Sequence, residues 1–108
     1  SGPWVGNING GENYVTDGPF MVKRVDKLLC LWSSFGKCGF EGGYAVGLTE
    51  SESGSIKGPW VHKEAPLYDK DGGHGMLFKT KEGEELFTFH APNRPAGAER
   101  PHFIKLDI

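Results

Sequence analysis

Three clusters in this chain hold side chains able to do chemistry. The first is Thr16-Asp17-Gly18-Pro19-Phe20, a carboxylate just ahead of an apolar run. Pro19 fixes its own φ and restricts Gly18, which would hold Asp17 at a rigid strand entrance. That is a natural position for an active-site carboxylate; a turn aspartate bonded to its own backbone is the plain alternative. The second is Asp69-Lys70-Asp71-Gly72-Gly73-His74-Gly75-Met76. A histidine between glycines has little side-chain cover, and the backbone can bring it close to a ligand. His74 could therefore serve a metal, its water shell or a polar substrate, or else be a satisfied structural residue. The D-x-D-G-G run resembles a calcium loop only faintly, because the closing Glu and the flanking helices are missing.

The third cluster joins His90-Ala91-Pro92-Asn93 to Glu99-Arg100-Pro101-His102. The planar fork of Arg100 could clamp a carboxylate or a sugar hydroxyl, or pair with Glu99 as a solvated charge. Trp4, Trp32, Phe35, Tyr44 and Trp60 could stack on sugar rings, although Trp32 and Tyr44 fall in alternating strand patterns that suit a core. Other chemistries fail on inspection. No Ser sits in a G-x-S-x-G elbow, no glycine-rich loop ends in G-K-S/T, and no Cys/His spacing suits a structural zinc. Cys30, in an apolar run, reads as a small buried hydrophobe, with a Cys30–Cys38 bridge as the alternative.

The elements that must position these residues repeat. Gly2-Pro3-Trp4-Val5 recurs as Gly58-Pro59-Trp60-Val61, and Asp17-Gly18 is echoed by Asp71-Gly72. Phe20-Met21-Val22-Lys23 aligns with Met76-Leu77-Phe78-Lys79. With one extra turn residue, Leu29-Cys30-Leu31-Trp32-Ser33 aligns with Leu86-Phe87-Thr88-Phe89-His90. A period of about 56 residues marks a repeated supersecondary unit. The unit holds short β-type runs, expected at 19–24, 28–33, 44–48 and 59–63, then at 76–80, 86–90 and 102–106. No segment has a helical period with caps. Three or four antiparallel strands per unit is the pattern of a propeller blade, so the chain reads as all-β, a partial β-propeller over 1–108 with blade-like repeats at about 14–62 and 71–108. A β-sandwich with chance similarity between hairpins is the competing architecture.

Composition agrees and excludes several partners. Seventeen glycines, seven prolines and 12% aromatic residues favour short strands and tight turns. A net charge of −2, with no basic cluster beyond Lys23-Arg24, is unsuited to nucleic acid. No apolar run approaches the roughly 18 residues that span a bilayer.

In order, T-D-G-P-F-M at 16–21, L-W-S-S-F-G at 31–36, G-Y-A-V-G at 43–47, S-G-S-I-K-G-P-W at 53–60, D-G-G-H-G-M at 71–76 and E-R-P-H-F at 99–103 resemble glycoside hydrolase family 43. The resemblance implies about two antiparallel four-stranded blades of a five-bladed propeller that hydrolyses arabinose- or xylose-containing plant polysaccharide with inversion. Inversion takes a general acid and a general base, with carboxyls roughly 6.5–9.5 Å apart. Asp17 falls at the family's acid position, His74 at a histidine associated with calcium through water, and Arg100 at a channel arginine near substrate, with Trp32 and Phe35 as candidate sugar platforms. Two departures matter. Asp stands where the family has Glu, and the base and the pKa-tuning aspartate belong to blades outside this sequence. The expectation is therefore a piece of a glycosidase, inactive alone; a non-catalytic carbohydrate-binding or scaffold protein is the alternative. Two blades alone would expose apolar sides, which predicts self-association through blade faces. The polymeric substrate class implies a secreted or periplasmic location.

Overall fold

The computed structural model describes residues 2–8, 14–37 and 42–108. Their regular structure is all β: β1 Asp17–Lys23, β2 Leu28–Phe35, β3 Tyr44–Ser51 and β4 Trp60–His62, then β5 Gly73–Lys79, β6 Glu85–Ala91 and β7 Arg100–Ile104. The first four form one antiparallel sheet in chain order, and the last three form a second. Each expected strand is present. Cys38 lies outside the described residues; Cys30 is a free, half-buried thiol whose pKa is raised by burial.

Tight turns close the first hairpin of each sheet. The Arg24 amide donates to the Lys27 carbonyl at 2.9 Å, and the Thr80 amide to the Glu84 carbonyl at 2.8 Å. The hairpins share one register. Lys23 faces Leu28 as Lys79 faces Glu85, and Asp17 faces Ser33 as Gly73 faces His90. β1 and β5 start earlier than their apolar runs, because each opens with a bulge, between Asp17 and Phe20 and between Gly73 and Met76. A bulge adds an unpaired residue that strand alternation cannot register.

The sheets pack face to face. Val22, Leu29, Leu31, Val46 and Leu48 of the first meet Phe87, Phe89 and Ala91 of the second, with Phe20, Leu77 and Ile104 at the margin. This alternation, one residue in and the next out, is the period of a strand. Within the second sheet the bulge presses Gly75 onto β6, where a Cβ would stand 2.6 Å from the Phe87 ring and 2.8 Å from Phe89 Cβ. Arg24 and Glu85 bridge the sheets at 2.6 Å near the outer end.

The two G-P-W-V copies separate. Trp60 lies in β4, opposite Ser51 at the edge of β3. Trp4 instead folds onto the first sheet beside Trp32, with ring centroids 5.2 Å apart, and Val5 forms an isolated bridge with Gly36. The sequence is the same, but the second copy has a free strand edge to join and the first lies over a sheet face.

Candidate functional site

The bulges at the starts of β1 and β5 bring the two sheets' inner strand ends together. Gly18 and His74 occupy the same position in their bulges, and both have left-handed backbones, φ 51° and 57°. A Cβ on Gly18 would stand 2.9 Å from His74 Cγ. Glycine at 18 thus serves both the backbone conformation and the approach of the histidine.

Asp17 lies beside this contact, its side chain 46% exposed. Its Oδ2 accepts a hydrogen bond from the Tyr44 hydroxyl at 2.8 Å and stands 3.5 Å from His74 Nδ1. The Tyr44 hydrogen bond holds the Asp17 carboxyl below its ordinary pKa against the opposing effect of burial, and His74 adds to it. Burial, with the neighbouring carboxylate, pushes the Tyr44 phenol far up. Tyr44 is therefore a fixed donor and Asp17 a stabilised anion.

The partners of this pair are held in turn. Tyr44 is 3% exposed, its ring packed on Phe35 at 5.1 Å and stacked on His90 at 5.7 Å. Its amide donates to Asp71 Oδ1 at 3.0 Å. Asp71 Oδ2 accepts the amides of Asn93 and Arg94, each at 3.1 Å. One carboxylate thus ties the start of β3 to the loop after β6. Both its oxygens are engaged by backbone, so Asp71 works as a cap and the faint likeness to a calcium loop has no counterpart here. The buried Ser33 hydroxyl accepts the His74 amide at 2.8 Å, and His90 Nε2 lies 2.7 Å from Asn93 Oδ1.

His74 and Arg100 share a groove of about 530 Å³ on the outer side of the second sheet, lined also by Met76, His90 and Glu99. Arg100 is exposed and donates to the carbonyls of Glu99 at 2.7 Å and Gly97 at 3.3 Å; the Glu99 carboxylate takes the Gly97 amide instead. Trp32 and Phe35 are placed differently from the sugar platforms the sequence suggested. They are 5% and 7% exposed, Trp32 against Trp4 and His62, Phe35 against Tyr44. The two rings lie on opposite sides of β2, Trp32 under Trp4 on the outer side and Phe35 against Tyr44 on the inner one, so packing takes up most of both. Among the described residues no three His, Cys, Asp or Glu side chains converge as a metal site. Calcium prefers six to eight oxygen ligands, and the His74 imidazole offers only nitrogen, so it does not fit as a direct ligand.

Sequence reasoning singled out Asp17, His74 and Arg100 but did not anticipate the contacts that Tyr44, Ser33, Asp71 and Asn93 make. The available signal was register: pairing Asp17 with Ser33 and Phe35 with Tyr44 puts the carboxylate and the phenol at one end of the sheet.

No family model and no curated protein matches the chain. Solved structures do. An endo-arabinase from Bacteroides thetaiotaomicron is 43% identical with a TM-score of 0.87, over 99% of this chain and 37% of that one. A thermostable family-43 glycoside hydrolase is 20% identical with a TM-score of 0.68, over 86% of this chain and 32% of its own, a likeness of fold alone. The chain thus spans about a third of each solved protein it matches, and over that span it is similar to a segment of a family 43-like propeller.

Proposed function

We propose that this chain carries the acid side of an inverting glycosidase site for arabinose- or xylose-containing polysaccharide, with Asp17 as the proton donor. The supporting observation is the Asp17 carboxylate at an inner strand entrance, held by Tyr44 and facing His74, within a chain 43% identical to an endo-arabinase. In this reading Arg100 and His74 contact substrate across their shared groove. The general base comes from sequence outside this chain, so the chain is inactive alone. A calcium ion would meet His74 through water, with its oxygen ligands supplied from elsewhere. Secretion or export to the periplasm follows from the size of the substrate.

A general acid must arrive protonated, whereas Tyr44 and His74 favour the ionised form. A second carboxylate close by raises the pKa of the first. Among the described residues Asp17 meets a phenol and an imidazole but no such carboxylate. The missing blades would have to supply it. The stabilised anion supports a second reading, a carbohydrate-binding segment in which Asp17 accepts hydrogen bonds from sugar hydroxyls.

The test is a chimera in which this chain replaces the matching 37% of the Bacteroides endo-arabinase. Under the first reading the chimera cleaves arabinan, and Asp17→Asn lowers kcat by about 10²–10⁴, the usual size of a general acid's contribution. Turnover that survives Asp17→Asn refutes the acid role. A chimera that binds arabinan without cleaving it favours the second reading.

A further inference from the structure

The two oxygens of Asp17 are not equivalent. The Tyr44 hydroxyl donates to Oδ2 at 2.8 Å, and the nearest approach of His74 Nδ1, 3.5 Å, is to the same oxygen. Both side chains close on Oδ2, and Oδ1 is the less engaged of the pair. Among the described residues, Tyr44 from β3 and His74 from β5 are the titratable groups that act on this carboxyl, and the Gly18 amide adds least. From β2 the residue opposite is Ser33, whose buried hydroxyl accepts the His74 amide at 2.8 Å. The Asp17 side chain is still 46% exposed, so a substrate can reach it.

The phenol at Oδ2 is fixed in place and in protonation. Its ring is buried between Phe35 and His90, and its amide is held by Asp71. β5 closes on the ring as well, since a Cβ on Gly73 would stand 2.9 Å from Tyr44 Cε2. Burial and the neighbouring carboxylate push the phenol pKa far up, so around neutral pH it stays a donor. A protonated carboxyl has one oxygen that carries the proton and one that is free to accept. With Tyr44 donating to Oδ2, Oδ2 is the acceptor and the proton belongs on Oδ1. His74 Nδ1, at 3.5 Å, is too far away to hold a proton on Oδ2 instead.

We infer that Tyr44 is a positioning residue for proton transfer: it reserves Oδ2 and so makes Oδ1 the oxygen that delivers the proton. This rests on the reading of Asp17 as general acid. In the step, a water oxygen bonds to the anomeric carbon and gives its proton to the base from outside this chain. The bond from that carbon to the leaving oxygen breaks with its electron pair on oxygen, and that oxygen takes the proton from Oδ1. Asp17 ends as a carboxylate. Its bond from Tyr44 is neutral at the start and charge-assisted at the end, so it strengthens as the proton leaves. An interaction stronger in the transition state than in the ground state speeds the step. The same preference for the anion lowers the share of Asp17 that starts protonated, so Tyr44 also sets how far up in pH the acid works.

Neutron diffraction from crystals of this chain, grown in heavy water below the folded-state pKa of Asp17, locates the proton without an activity assay. The acid deuteron should lie on Oδ1 and the Tyr44 deuteron should point to Oδ2; an acid deuteron on Oδ2 overturns the inference. In the endo-arabinase chimera, Tyr44→Phe keeps the ring and removes the hydroxyl. It should lower kcat/KM on arabinan about tenfold, because a hydrogen bond to a charged group is roughly twice as strong as one to a neutral group. The alkaline limb of the pH profile should move upward, because Asp17 without Tyr44 keeps its proton to higher pH. The rate on a dinitrophenyl arabino-oligosaccharide, whose leaving group departs without a proton, should not change. Equal losses on both substrates with an unmoved limb would mean a general loosening of the site and overturn the inference, as would full activity on arabinan. Turnover that survives Asp17→Asn refutes the acid reading itself, whatever Tyr44→Phe does, and this inference falls with it.

Discussion

Asp71 ties the two sheets together close to the candidate site, so replacing it should loosen the fold measurably. Its carboxylate accepts three backbone amides, those of Tyr44, Asn93 and Arg94. Hydrogen bonds to a charged group contribute about 1.5–3 kcal/mol each where water is excluded. The Tyr44 and Asn93 bonds are partly buried, whereas water can replace the carboxylate at the exposed Arg94 amide. The Asn93 amide keeps a 2.7 Å bond to the Asp71 main-chain carbonyl whatever the side chain, so counting only the Tyr44 bond gives about 1.5–3 kcal/mol lost in Asp71→Ala. Backbone conformation adds to the loss. Asp71 has φ 60°, a region that aspartate and asparagine visit more readily than alanine.

Asp71→Asn tolerates that φ and keeps one acceptor oxygen, so it should lose about half as much. Asp71→Gly removes the backbone strain but every acceptor, and should fall between the two. For a domain near this size each kcal/mol shifts Tm by about 4–8 °C, which puts Asp71→Ala at least about 6 °C below the wild type. Urea unfolding at pH 7, followed by circular dichroism, measures the series directly. The order is Asn, Gly, Ala from least to most destabilised, with m-values unchanged if only the folded state is affected. Asp71→Ala within about 0.5 kcal/mol of the wild type, the usual span of an ordinary surface change, would refute the reasoning. So would Asn and Ala variants of equal stability, since the acceptor count would then be irrelevant.

Two further outcomes follow from the site and the core. Because the folded-state pKa of Asp17 is lowered, chiefly by Tyr44, its stabilisation is present above the unfolded value of about 3.9 and is lost as pH falls through the folded value. Tyr44→Phe should flatten that acid loss in urea titrations between about pH 5 and 2, by less than about 1 kcal/mol because Asp17 is half exposed; an unchanged pH profile would count against the hydrogen bond. Gly75→Ala places a methyl group against Phe87 and Phe89 of the neighbouring strand, an overpacking that should cost about 1–3 kcal/mol and lower Tm accordingly, whereas a neutral result would mean that the β5 bulge shifts easily away from β6.

The strands were legible where their apolar residues alternate without interruption. Phe20 and Val22, Leu29 and Leu31, and Phe87 and Phe89 all point inward at period two, and that spacing needs no knowledge of the partner sheet. What was not legible depends on three dimensions. The bulges hide the first residues of β1 and β5, and the same G-P-W-V reads as one element although its two copies meet different surroundings. Alternation alone suited Trp32 to a core, but that it lies under Trp4 on one side of β2 and Phe35 against Tyr44 on the other depends on the folded sheet. Asp71 resembled Asp17 in the local sequence, but the pairing matches Asp17 to Gly73 instead. That shift carries the functional argument. Along most of β1 and β5 the two units place apolar residues at matched positions, because both must pack a sheet. At the bulge they diverge: Asp17-Gly18 in one stands against Gly73-His74 in the other. Packing does not require that difference. It leaves a carboxylate on one sheet and an imidazole on the other, 3.5 Å apart, with Gly18 making room for the His74 ring and Gly73 for Ser33 and the Tyr44 ring that holds Asp17.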